Sequence, residues 1–168
     1  MQTFTSSATS INRTKLPAVY RKIKSFASCV LDYGCGKYTN HIADYLYRHE
    51  VNLLPYDPYN QPLEVNLDTF EQVRWHMTRS VPLDIVCSNV LNVIDSDGEV
   101  GRICHYLEGI AAETGGTAYI TVYEGDRSGV GRQTGKDQYQ RNETLRDYLR
   151  FFHRATIRNG MIIIKGGD

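Results

Sequence analysis

Ala27-Ser-Cys-Val-Leu-Asp-Tyr-Gly-Cys-Gly36 runs from a short apolar stretch straight into a glycine-containing turn. A continuous apolar run closed by such a turn predicts a buried strand ending at Tyr33. Gly34 and Gly36, with Cys35 between them, let the backbone approach a ligand without a Cβ in the way. Thr39 or Asn40 can cap a following helix whose inner face carries Ile42, Tyr45 and Leu46. The start of that helix aims free N–H groups and a partial positive charge at the same turn. Asp32, at the strand tip, suits a donor-rich group such as an ammonium.

Working outward, Pro17 is well placed at a first helical position, and Leu16, Val19, Tyr20, Ile23 and Phe26 follow at helical spacing. Residues 1–12, rich in serine and threonine, read as a loose N-terminal arm. Downstream, Val51–Tyr56 reads as a second strand, stopped by Asp57-Pro58, although Pro55 fits poorly in a central strand. Leu63–Val81 matches helix and strand periods alike. Leu83–Ser88 is another buried strand. Gly98–Thr114 is the clearest helix, striped by Val100, Ile103, Cys104, Leu107 and Ile110 and stopped by Gly115-Gly116. A strand over Thr117–Tyr123 leads to a polar loop over Glu124–Gln140, then to a helix carrying Leu145, Tyr148, Leu149 and Phe152. The end reads as a hairpin, Ala155–Arg158 and Met161–Ile164 around Asn159-Gly160. Strands alternating with helices predict one α/β domain over residues 1–168, with a Rossmann-like, doubly wound, mostly parallel sheet and a C-terminal antiparallel hairpin.

Lys plus Arg and Asp plus Glu number 19 each, so the formal net charge is zero, which argues against an indiscriminate nucleic-acid or membrane binder. No segment is long and apolar enough to span a bilayer, and the N-terminus lacks a signal-peptide core. The four cysteines are scattered and read as reduced, packed thiols, so the expected location is cytoplasmic. His41, His49, His76, His105 and His153 form no spaced cluster, and no metal site is expected.

The pattern resembles the class I S-adenosylmethionine-dependent methyltransferases, small bacterial and phage types among them. Their first motif, Asp-x-Gly-x-Gly-x-Gly, is matched by Asp32, Gly34 and Gly36, with Tyr38 where the third glycine often stands. Their acidic residue after the second strand is matched by Asp57, placed to grip ribose hydroxyls. Pro58 and Tyr59 follow it, to flank an adenine ring. Asp84–Asn92 resembles their fourth-strand motif, and Ala155–Ile164 their terminal hairpin. The likeness covers about residues 15 to 165 and implies S-adenosyl-L-methionine as cofactor. Two departures stand out. The Asp57–Leu83 interval is short for the family's helix, strand and helix. The Asn-Pro-Pro-Tyr, Asp-Pro-Pro-Tyr and Pro-Cys motifs are absent. A nicotinamide enzyme would instead prefer a full G-x-G-x-x-G, which Gly36 does not continue.

The resemblance puts Ser88, Asn89 and Asn92 beside the methyl-transfer pocket; a polar turn satisfying its own backbone is the bland alternative. Tyr123, Glu124, Asp126 and Arg127 follow the fifth strand, and one of them can position or deprotonate the acceptor. Asn89, Tyr123 and Glu124 are the catalytic candidates. Arg127, Arg132, Lys136 and Arg141, interleaved with glycines and Tyr139, are candidates for holding an anionic acceptor such as a nucleic acid. A small-molecule or protein acceptor, or a non-catalytic cofactor-binding module, stays open beside that reading.

Overall fold

The strand over Cys29–Tyr33 (β1) lies inside a six-stranded sheet in a computed structural model that describes residues 1–8 and 13–167. The other strands of this sheet are β2 (Asn52–Tyr56), β3 (Asp84–Ser88), β4 (Thr117–Thr121), β7 (Thr156–Arg158) and β8 (Met161–Lys165), in the order β2-β1-β3-β4-β8-β7. The first four are mutually parallel; β8 runs antiparallel to β4, and β7 antiparallel to β8. Asn159 and Gly160 turn the final hairpin at φ of 53° and 68°, as a two-residue turn between twisted strands requires.

Alternating side chains feed two cores. Leu31, Ile85, Cys87, Ile162 and Ile164 meet the helices α3 (Leu63–Arg79) and α4 (Asp97–Thr114) on one face. Val30, Val86 and Met161 meet α1 (Ala18–Lys22) and α2 (Asn40–Tyr47) on the other. The result is a sheet covered by helices on both sides. Ser96 caps α4 by accepting a bond from the Glu99 N–H, and Gly115 ends the helix in the left-handed region.

Three elements differ from the sequence reading. The ambiguous stretch after Asp57 is a single helix, α3, with no strand in it. Its inner face is largely polar, because Asn66 and Thr69 bond the backbone around the end of β2. Strand β2 is therefore the sheet edge, where Pro55 is tolerated. The presumed loop over 124–140 contains a hairpin of its own, β5 (Arg132–Gly135) and β6 (Gln138–Gln140). The helix expected around Tyr148 is a 3-10 turn over Asp147–Phe151.

Residues 1–8, read as part of a loose arm, are docked. Thr3 N–H donates to Asp95, Thr5 and Ser6 bond Asp137, and Phe4 stacks on Tyr139 with ring planes 8° apart. Residues 9–12 of that arm lie outside the described residues. No helix among the described residues is long and apolar enough to cross a membrane.

Candidate active site

The chain leaves β1 for β2 on one side and returns to β3 on the other, so the connections reverse direction between β1 and β3. Open α/β sheets bind ligands outside the carboxyl ends of their strands at such a point. Two adjoining cavities open there, of about 790 and 250 Å³, and Gly34, Gly36, Asn89 and Val93 line both. Gly34 has φ of 80°, and a Cβ on it would lie 2.2 Å from a methyl of Val90. Asn89, between the cavities, is left-handed at φ of 58°, a conformation asparagine tolerates; its N–H donates to the Thr121 carbonyl at 2.8 Å.

Asp32 lines the larger cavity and is 3% exposed. Its Oδ2 accepts a 2.7 Å bond from the Tyr20 hydroxyl, while Oδ1 accepts none from the described residues. Burial, augmented by the nearby Asp57 charge and opposed by the Tyr20 bond, pushes its pKa up to about 7. A half-satisfied carboxylate at the edge of a cavity is costly when ionised and calls for a cationic partner.

Asp57 lines the smaller cavity with Pro58 and Tyr59. It is more deeply involved in the fold than a strand-tip residue outside the core. Its Oδ2 accepts from Gly36 N–H at 2.9 Å, and Oδ1 accepts from the N–H groups of Tyr59 and Asn60 and from the Asn60 amide. Each carboxylate oxygen has about two acceptor directions; three donors already crowd Oδ1, so the one that remains is on Oδ2. Asp57 staples the β1 and β2 turns together, and a two-bond grip on ribose would require it to release its own loop. Cys35 is buried between the two glycines, and burial raises its thiol pKa.

Ser88 lines the larger cavity and accepts a bond from the Thr121 hydroxyl at 3.0 Å. Asn92 lines it too, and its orientation is fixed. The Tyr123 carbonyl can only accept, so Gln140 presents its Nε2 there at 2.8 Å; Gln140 Oε1 then accepts from Asn92 Nδ2 at 3.1 Å. Asn92 Oδ1 is left buried without a partner. Asn142 repeats the arrangement, donating Nδ2 to the Val130 carbonyl and leaving Oδ1 without one. Both asparagines line the larger cavity. Asn142 and Gln140 carried no signal in the sequence, since only the β5–β6 hairpin brings them to the strand ends.

The acceptor candidates divide. Tyr123 lines the larger cavity and is exposed. Glu124 lines neither cavity: it accepts from the Leu145 N–H at 2.7 Å and pairs with Arg127 at 2.6 Å. Asp126 is at the cavity wall instead, held below the usual carboxylate range by bonds from Ser128, then by Arg132. Of the four basic residues only Arg132 lines a cavity, and it faces Asp126 at 3.7 Å. Arg127 is paired with Glu124, and Lys136 is exposed outside both cavities. Arg141 is an internal tie rather than an anion holder. It is buried, donates to the Ile94 carbonyl at 2.9 Å, and pairs with Asp97 and Glu143. A buried guanidinium already matched by two carboxylates has no charge left over for a phosphate.

The N-terminal segment completes the site. Gln2, Thr5 and Ser6 line the smaller cavity, and Gln2 donates to the Tyr59 hydroxyl at 2.8 Å. Tyr139, under the Phe4 ring, lines the larger one. No protein-family model, curated protein or solved structure matches this chain.

Proposed function

We propose that this chain is an S-adenosylmethionine-dependent methyltransferase with a Rossmann-like, class I arrangement, acting on a small polar acceptor. The observation that carries the reading is Asp32: a buried carboxylate with one oxygen anchored by Tyr20 and the other without a partner among the described residues, beside the glycine turn at the sheet's switch point. That is what a ligand bearing an ammonium group needs. Gly34, Gly36, Asn89 and the remaining acceptor direction of Asp57 would hold the nucleoside part, with Pro58 and Tyr59 beside it.

The cofactor supplies a methyl group already activated on a positively charged sulfur. The protein's own task is then alignment and exclusion of water. Asp32 fixes one end of the donor. The Phe4–Tyr139 stack covers the hairpin side. Asp126, at the wall of the larger cavity, would accept a hydrogen bond from the acceptor, and the proton released on transfer would pass to solvent water.

A small acceptor is favoured over a nucleic acid because the basic residues near the cavity are matched by acids or lie outside it. The test is transfer of a tritiated methyl group from the cofactor to four pools: small metabolites, RNA, DNA and cellular protein. Label is expected among the small metabolites. Label in RNA or DNA would return the acceptor to the nucleic-acid class, label in the protein pool would make it a protein, and label in no pool would overturn the enzymatic reading.

A further inference from the structure

We infer that His105, Glu108 and His153 form a binding site for one divalent transition-metal ion of the zinc type, separate from both cavities. His105 and Glu108 are three residues apart on α4 and so share a helix face. The 3-10 turn brings His153 onto the same spot. One ligand atom from each residue lies within 4.8 Å of the others, the sole such group among the described residues. None of the three lines either cavity.

The carboxylate is preorganised. Glu108 is 6% exposed, and its Oε1 accepts from the backbone N–H groups of His153 at 3.0 Å and Arg154 at 2.7 Å. Its Oε2 lies 2.9 Å from His153 Nδ1. Burial works against the Glu108 charge, but these bonds outweigh it and hold the group below the usual carboxylate range. Backbone donors fixing a ligand carboxylate in this way are typical of the outer layer of metal sites. The two imidazole rings are exposed and 6.1 Å apart, so they can turn toward a common ion. Two imidazoles and one carboxylate select zinc, nickel or copper over magnesium or calcium. A tetrahedral ion takes water in its fourth position. Bound there, it staples α4 to the segment that enters β7.

The test titrates zinc chloride into the full, untagged, chelator-stripped chain by calorimetry. One ion per chain is expected, together with a higher melting temperature in zinc. His105→Ala removes an exposed ring and leaves the Glu108 bonds intact. His153→Ala keeps both backbone donors. Each should weaken zinc binding by at least about tenfold. Absence of saturable binding to the wild type overturns the proposal. So does zinc binding that survives both substitutions unchanged, which would assign it to the four buried cysteines or another group.

Discussion

Burial ties the protonation of Asp32 to the fold. Its pKa is raised from an ordinary 3.8 to about 7, chiefly by burial. A carboxyl whose folded pKa is raised contributes stability that is fully present below the unfolded value and lost as pH rises through the folded one. Between about pH 4 and pH 7 the unliganded protein therefore loses on the order of 4 kcal/mol from this residue. Asp32→Asn should remove that loss, raising the melting temperature at pH 8 while abolishing cofactor binding; a variant destabilised at pH 8 would mean the carboxylate is structural. Binding of an ammonium-bearing ligand should strengthen from about pH 6 to about pH 8 as Asp32 ionises. Tyr20→Phe removes the bond that favours the ionised form, so the midpoint of that curve should move to higher pH. A curve unmoved in this variant would show that Asp32 is not the titrating group. The position of Asp32 is legible in the sequence because a strand tip and a glycine turn are local features. The demands on Asp57 are not, since its donors come from Gly36, Tyr59 and Asn60, which only the folded loops bring together.

At the scale of elements, β1 and β3 are legible because both are continuous apolar runs with a polar end, and the terminal hairpin because Asn159-Gly160 suits one turn type. Helix α3 is not, because Asn66 and Thr69 occupy its inner face to satisfy the end of β2. Strand β5 is mostly exposed and β6 is only half-buried before Gln140, so no core demanded an alternating apolar pattern from the hairpin. Asp84, at the start of β3, clamps three segments: its oxygens accept from the Ala27 N–H at 2.7 Å and the Thr117 N–H at 2.8 Å. Asp84→Asn retains one acceptor for two donors, so unfolding free energy should fall by about 1–3 kcal/mol. Chemical denaturation measures this, and an unchanged midpoint would remove the clamp. The N-terminal segment makes a different prediction. Deleting residues 1–8 takes away Gln2, Thr5 and Ser6 from the smaller cavity and Phe4 from Tyr139, but no apolar side chain of the two main cores. The truncated chain should fold cooperatively and bind the cofactor more weakly, as read by thermal unfolding and calorimetry; equal affinity would show that the segment does not enclose the ligand.

For the whole molecule, zero net charge and the matched arginines give one coherent picture. Positive charge is used inside the fold, as at Arg141, or neutralised at the rim, as at Arg127 and Arg132. Counting basic residues along the chain could not reveal this, because Asp97, the partner of Arg141, lies far from it in sequence. The carboxyl end of the sheet is lined by uncharged amides, a glycine turn and the carboxylates of Asp32, Asp57 and Asp126, with Arg132 facing Asp126. Isothermal titration of S-adenosylmethionine and S-adenosylhomocysteine into the full chain at pH 8, beside a nicotinamide dinucleotide, decides whether that end is a methyl-donor site. One molecule of either sulfur compound should bind the wild type, neither should bind the Asp32→Asn variant, and the dinucleotide should give no heat. Binding of the dinucleotide alone, or equal binding of the sulfur compounds to both proteins, would contradict it.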